Sequence, residues 1–244
     1  MRLYAIGDIH GQLDMLRTVH AFIAEDRKVC GDDTAPVVHL GDYTDRGPDS
    51  AGVLDHLIDG AAEGQPWRFV RGNHDRMFRE FMRAPFGRDL MLRPDYTWLH
   101  PNLGGRDTLR SYGVPVDDIT DPEFLHDVAL KLVPGRHIRF LEGLENAIQT
   151  DHLILVHAGI RPGVPMDQQT EDDLLWIRHE FLDDITDHGK LVVHGHTPVE
   201  EPSHYGNHVN LDTGAGYFAP LTAAVFEDRD CWVLTAGGRR PLRP

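Results

Sequence analysis

The sequence predicts an α/β fold built on parallel strands with crossover helices. Two observations predict it. Three short apolar runs, Leu3–Ile6, Val37–Leu40 and Trp67–Val70, each end in a polar loop and are followed by residues at helical spacing. Such strand–loop–helix units in series place their strands side by side in parallel. The residues able to do chemistry also collect in the loops after the strands, where open α/β sheets bind ligands.

In the first unit Leu3-Tyr4-Ala5-Ile6 runs into Gly7-Asp8-Ile9-His10-Gly11. Asp8 and His10 alternate with Gly7 and Ile9, so both side chains can project to one side of an extended segment. Leu13, Leu16, Val19, Phe22 and Ile23 then repeat with a helical period across residues 12–24. The second unit passes from Val37-Val38-His39-Leu40 into Gly41-Asp42-Tyr43-Thr44-Asp45-Arg46-Gly47-Pro48, with Asp49 as the cap of a helix through Val53, Leu54, Leu57 and Ile58. A glycine straight after a buried strand lets the backbone turn sharply and approach a ligand. Asp42 and Asp45 lie too far apart to share one role. Asp42 is expected to bridge two metal ions, Asp45 to support an acid/base histidine, and Arg46 to face the substrate. The third unit joins Trp67-Arg68-Phe69-Val70 to Arg71-Gly72-Asn73-His74-Asp75 and a helix through Met77, Phe78 and Phe81.

Residues 84–146 are punctuated by proline and glycine, with short helices expected near 107–111, 122–132 and 137–141. They read as a helical, cap-like insertion within a single domain spanning residues 1–244. Regularity returns at Leu153–Val156, which leads to His157-Ala158-Gly159, and at Leu191–Val193, which leads to His194-Gly195-His196-Thr197-Pro198. Asp172–Leu182 is predicted as a helix carrying Arg178. Residues 209–211, 221–226 and 231–234 are predicted as antiparallel strands joined by turns.

Composition bounds the function. The chain of 244 residues carries 24 Lys and Arg against 39 Asp and Glu, a formal charge of −15. That argues against nucleic acid or an acidic membrane as partner, both of which call for a basic face. Phosphate chemistry stays open, because bound divalent ions reverse the local field. Two cysteines, Cys30 and Cys231, form neither a disulfide framework nor a metal knuckle. With no apolar stretch long enough for a signal peptide or a membrane span, a cytoplasmic location is expected.

The strand-end loops together offer Asp8, His10, Asp42, Asn73, His74, His157 and His196. Oxygen donors mixed with imidazoles, without thiolates, suit Mn, Fe, Zn or similar ions. The set exceeds what one ion needs, whereas two ions about 3.5–4 Å apart that share a carboxylate would use it. Such a pair activates a water and clamps a phosphoryl group. His20, His39, His56, His100 and His126 have no motif around them and are expected to be structural.

The blocks Gly7–Gly11, Gly41–Gly47 and Arg71–Asp75, followed by Val156–Gly159 and Gly195–Pro198, resemble in order the signature blocks of calcineurin-like metallophosphoesterases. The branch they are most similar to is the phosphoprotein phosphatases, in their bacterial and phage form. The resemblance implies a four-layer α/β/β/α sandwich with two mixed sheets. It implies Asp8, His10 and Asp42 on a first metal and Asp42, Asn73, His157 and His196 on a second, with Mn²⁺ expected before Fe, Zn, Ni or Co. His74 would protonate the leaving group with Asp45 as its partner, while Arg46, Arg178 and Asn73 bind the substrate phosphate. The implied reaction is direct attack of a metal-activated water on phosphorus. The implied substrate is phosphoserine or phosphothreonine in a protein, with another small phosphoester as the wider class. Asp75 stands where protein phosphatases usually have Glu, and together with His157–Ile160 it is shared with symmetrical dinucleoside tetraphosphatases, so that activity is the alternative. A binding module with a dead site is disfavoured because no expected ligand is missing. Arg71 is expected to be structural, His194 to pack outside the site, and Leu103-Gly104-Gly105 to match a family loop only in part.

Overall fold

The computed structural model describes residues 1–244 and consists of two mixed sheets packed face to face, with helices on both outer sides. The first sheet is built from β1 (Arg2–Ile6), β2 (Val37–His39) and β3 (Trp67–Phe69), which run parallel. The helices between and after them are α1 (Leu13–Cys30), α2 (Ser50–Ala62) and α3 (Asn73–Arg83). The predicted units are therefore present, and Asp49 caps α2 by accepting from Gly52 N at 2.8 Å.

Three further helices follow: α4 (Gly105–Ser111), α5 (Pro122–Leu132) and α6 (Gly135–Glu142). Leu109, Leu125, Ala129 and Leu141 from this middle segment are buried in the same apolar cluster as Ile6, Leu16, Leu54, Phe78 and Trp98.

The second sheet contains β4 (Ala147–Gln149), β5 (Leu153–Val156), β6 (Leu191–His194), β7 (Ser203–His204) and β8 (His208–Asn210), in the order β4-β5-β6-β8-β7. Outside it lie α7 (Glu171–Trp176) and α8 (His179–Leu182). The chain then returns to the first sheet through β9 (Ala223–Glu227), β10 (Asp230–Thr235) and β11 (Gly238–Leu242), completing the order β11-β10-β9-β1-β2-β3.

Two expectations need correction. The strand at 209–211 is β8, which pairs parallel to β6 in the second sheet and antiparallel only to the edge strand β7. The helix expected over 172–182 is two short helices. Ile177 turns extended with ψ 142°, and Arg178 sits in the break at φ −131°, ψ −103°.

The strands that carry the site, β1, β2, β5 and β6, are buried on both faces. On β1, Leu3 and Ala5 face the second sheet with Val193, Leu155 and Val209, while Tyr4 and Ile6 face the helices. On β5, Leu153 and Leu155 join the layer between the sheets, and Ile154 and Val156 pack on Leu174 and Phe181. Side chains alternate along a strand, so a strand covered on both faces reads as a continuous apolar run. The ends of β1, β2, β5 and β6 thereby open onto one edge of the sandwich, and the polar loops meet there. No helix is long and apolar enough to cross a membrane.

Candidate metal centre

The loops after β1, β2, β5 and β6 and the start of α3 converge on one buried cluster. Asp8, His10, Asp42, Asn73, His74, His157 and His196 are all buried within it. Donor atoms of His10, Asp42 and His74 lie within 4.8 Å of one another, as do those of Asp8, Asp42 and His157. Asp42 belongs to both sets, as a bridging carboxylate requires. Asp8 and His10, expected together, fall in different sets of the same cluster.

The backbone is shaped to bring these groups in. His10, Asp42, Asp45, Arg46 and His196 all have positive φ, between 46° and 75°. Non-glycine residues rarely adopt this region, and doing so costs about 1–3 kcal/mol each. Asp75 holds the turns in place. Its carboxylate accepts from the backbone N–H of Gly72, Asp42 and Tyr43, each at 2.9 Å. Gly72 meets the same need for closeness, since a Cβ there would stand 2.1 Å from Asp42 Oδ1. Two more backbone bonds tie the blocks together: His74 N donates to Asp42 Oδ1 at 3.0 Å, and His196 N donates to Asp8 Oδ2 at 3.0 Å.

The donor set suits cations. His157 Nδ1 donates to Leu40 O at 2.9 Å, so the neutral ring leaves Nε2 as a bare lone pair. That nitrogen lies 2.8 Å from Asn73 Oδ1 and 3.5 Å from Asp42 Oδ1. Burial pushes the His157 imidazole down, which disfavours the proton that could join these acceptors. His10 repeats the pattern, with Nδ1 bonded to Thr44 O at 2.8 Å and Nε2 3.4 Å from Asp42 Oδ2. Its imidazole too is held well below its ordinary range, by burial and then by Arg46. His196 Nδ1 is 2.9 Å from Asn73 Oδ1, and its Nε2 is buried without a partner. Asp8 is pushed well up by burial and then by the carboxylates of Asp212 and Asp42. Lone pairs and carboxylates that face one another with too few protons are what a divalent ion would satisfy. The residues present therefore fit a metal pair.

His74 is held differently. Its Nδ1 is 2.6 Å from Asp45 Oδ2, and Asp45 is fully buried. The same Oδ2 accepts from Trp98 Nε1 at 2.8 Å, and Asp45 Oδ1 accepts from Thr108 Oγ1 at 2.7 Å. With Nδ1 fixed, Nε2 is the nitrogen of His74 turned to the cluster. Arg46 donates to it at 3.0 Å and to His10 Nε2 at 2.5 Å. An ion and this guanidinium cannot share the His10 lone pair. Arg178 lies at the mouth, exposed, donating to Thr197 Oγ1 at 3.3 Å and within electrostatic reach of Asp42, Arg46 and Asp212.

Other expectations resolve around the cluster. His194 bonds His208 and stays outside it. Arg71 bonds Asn146, Glu171 and Glu142 O, which ties the end of the middle segment to α7. Gly104 lies against Arg46, whose N donates to Gly104 O at 3.4 Å. Trp98, Thr108 and Asp212 were missed in the sequence. Asp212 follows β8, His208–Asn210, at a strand end as Asp8 and Asp42 do, but that strand is not an apolar run, so the signal was weaker. Nothing marked Trp98 or Thr108.

The profile of the calcineurin-like phosphoesterases matches residues 1–226. The chain belongs to that family. Its members work through a dinuclear divalent metal centre, and this phosphoesterase carries the candidate ligands for one. It is similar to a bis(5'-nucleosyl)-tetraphosphatase of the asymmetrical type, PrpE, from Geobacillus thermodenitrificans, at 27% identity over 91% of this chain and 89% of that one. The relative of the same name from Oceanobacillus iheyensis is 25% identical over 99% and 94%. Among solved structures, one described as a putative diadenosine tetraphosphatase superposes with a TM-score of 0.64 at 20% identity, covering 96% of this phosphoesterase and 92% of that chain. A cold-active protein-tyrosine phosphatase of a Shewanella species superposes with a TM-score of 0.59 at 16% identity, covering 99% and 80%. Both structures share the fold.

Proposed function

We propose that this metallophosphoesterase hydrolyses dinucleoside polyphosphates at a pair of divalent ions, Mn²⁺ before Fe, Zn, Ni or Co. The observation that carries the chemistry is the Asp45–His74 pair, 2.6 Å apart and buried, beside the converging lone pairs of Asp42, Asn73 and His157. Asp8, His10, Asp42, Asn73, His157 and His196 hold the ions. When bound, the ions supply an activated water and neutralise charge on the phosphoryl oxygens. Asp42, which belongs to both candidate groups, would serve both ions. Asp45 fixes the His74 ring through Nδ1; once Arg46 turns from Nε2 to the phosphate, Nε2 is free to carry a proton and give it to the departing oxygen, a contribution of about 10²–10⁴-fold. Arg46 and Arg178 bind the non-bridging oxygens, where a planar guanidinium makes paired hydrogen bonds. Asn73 orients the phosphate from the ligand side.

The substrate reading draws on the relatives named as asymmetrical tetraphosphatases, which this chain matches over nearly its whole length. Asp75 and the His157–Ile160 run, which resemble symmetrical tetraphosphatases, favour a dinucleotide substrate, while the asymmetrical cut follows the relatives alone. A second reading, phosphoserine or phosphothreonine in proteins, is favoured by Asp45-Arg46-Gly47. A side-by-side assay with Mn²⁺ on diadenosine tetraphosphate and a phosphothreonine peptide separates them. The expected result is cleavage of the dinucleotide into a nucleoside mono- and triphosphate, with the higher kcat/KM. Cleavage of the peptide alone would sink the nucleotide reading and leave the protein phosphatase one. Metal analysis should give two ions per chain, falling in Asp42→Asn; an unchanged content would remove Asp42 from its role.

A further inference from the structure

An aromatic ledge adjoins the metal centre, and neither the centre nor its motifs explain it. Tyr217 and Phe218, in the turn between β8 and β9, are 63% and 69% exposed. The turn is hydrogen-bonded within itself: Tyr217 N donates to Gly214 O at 2.8 Å and Phe218 N to Ala215 O at 2.9 Å. It is also anchored on the centre. Gln12 Nε2 donates to Ala215 O at 3.1 Å, and a Cβ at Gly216 would stand 2.6 Å from His10 Cδ2 and 2.9 Å from Arg46 Cδ. The Tyr217 backbone thus follows directly on the residue packed against His10, and the Arg46 guanidinium lies 5.0 Å from the centroid of the Tyr217 ring.

A cavity of about 510 Å³ opens from the same guanidinium, lined by Arg46, Asn102, Gly104, Asp107, Gly216 and Tyr217. That volume lies within the range of small-molecule sites. The Asn102 amide gives one hydrogen bond, to Tyr96 Oη at 3.0 Å, and its remaining groups are free to meet a ligand. Arg46 therefore belongs to both the phosphate site and the cavity. A phosphate chain gripped by Arg46 carries whatever is attached to it onto the Tyr217 ring.

We propose that this cavity seats a nucleoside attached to the bound phosphate chain, its base lying against Tyr217. This rests on the nucleotide reading above and adds the residue that sets preference for nucleotides over bare phosphates. Every base has a π-face, so an exposed tyrosine beside a phosphate clamp binds bases through stacking.

The test compares ADP with pyrophosphate as inhibitors of p-nitrophenyl phosphate hydrolysis by the Mn²⁺-loaded protein. The two differ only by adenosine. ADP should inhibit at lower concentration than pyrophosphate. Tyr217→Ala should raise the ADP inhibition constant and the diadenosine tetraphosphate KM by about 5- to 100-fold, the range of one base–aromatic stack. The pyrophosphate constant should rise far less than the ADP constant, and Tyr217→Phe, which keeps the ring against Arg46, should behave like the parent. Equal inhibition by ADP and pyrophosphate in the parent, or equal weakening of both in Tyr217→Ala, overturns the proposal. ADP preference that depends on Tyr217 without any cleavage of diadenosine tetraphosphate upholds the seat and overturns the nucleotide-hydrolase reading instead.

Discussion

Replacing Trp98 by Phe removes one hydrogen bond to Asp45 and leaves the rest of the centre alone. Trp98 Nε1 donates to Asp45 Oδ2 at 2.8 Å in a fully buried setting, and His74 Nδ1 shares that oxygen. The indole ring stacks on Phe78, with centroids 5.2 Å apart and planes 18° from parallel, so a phenyl ring keeps part of the packing. A hydrogen bond to a buried charged group contributes about 1.5–3 kcal/mol. Its loss frees the carboxylate to tilt about its remaining tie to Thr108, and the imidazole tilts with it. If about half of that energy serves to aim Nε2, turnover falls by about 4- to 12-fold, since about 1.4 kcal/mol is a factor of ten. The fall should depend on the leaving group. A p-nitrophenolate leaves as a stabilised anion and gains little from a proton donor, while phenolate gains more. The assay is kcat for phenyl phosphate and p-nitrophenyl phosphate, with the parent as reference. The expected pattern is a drop of about 4- to 12-fold on phenyl phosphate and a much smaller one on the nitrophenyl ester. Equal losses on both esters would mean that Trp98 acts through general packing. No loss on either would mean that Asp45 keeps its aim without the indole.

Two further outcomes follow from the same geometry. Asp75→Ala strips the acceptor from the N–H groups of Gly72, Asp42 and Tyr43; at about 1–3 kcal/mol per unsatisfied buried donor it should cost at least about 3 kcal/mol in urea unfolding, and a loss under about 1 kcal/mol would refute the clamp. The chain should also be acid-sensitive in chelator. Burial holds His20 down to about 2 and His39 down to about 3, while the unfolded chain takes up protons near 6.5. Because the folded values are lowered, the stabilisation is full above about 6.5 and is lost as pH falls from there toward about 3, by about 1.4 kcal/mol per pH unit for each ring. His39→Gln should flatten the urea midpoint against pH over that window, and an unaltered slope would remove His39 from the account.

How much of this was legible in the sequence depends on what each residue holds. The first sheet's parallel half could be read because β1 and β2 are buried on both faces and end in glycine. Helix α5 could be read from Asp121 and Pro122 at its start, and Asp121 does cap it. The break before Arg178 could not. Trp176-Ile177-Arg178 contains neither glycine nor proline, and Ile177 is 5% exposed, so packing sets the turn where local propensity gives no sign of one. Nor could β8 be assigned to a sheet, because three residues with extended propensity fit either one and pairing is decided by what they meet.

The centre was far more legible than its supports, and the hydrogen bonds give the reason. Asp42 accepts from His74 N, Asp8 from His196 N, and Asp75 from the N–H groups of Gly72, Asp42 and Tyr43. Asp8 and Asp42 thus belong to the centre and each also bonds another block's backbone, while Asp75 joins its own block to the turn after β2; of the bonded N–H groups, those of Asp42 and His196 sit at positive φ. Residue type, glycine and spacing are all constrained together within a few positions, and that density makes a readable motif. The Trp98 side chain bonds only Asp45, from 53 positions away, and that of Thr108 bonds only Asp45 and Ser50, from 63 and 58. Long-range bonds of this kind constrain one side chain and leave its neighbours free, so they write no pattern. Tyr217 is in the same case: its turn is anchored through Gly216 and the carbonyl of Ala215, and neither asks anything of the ring that faces the cavity. The residues that select a substrate in this fold are therefore the ones that sequence patterning shows least, because the scaffold that places them does not depend on them.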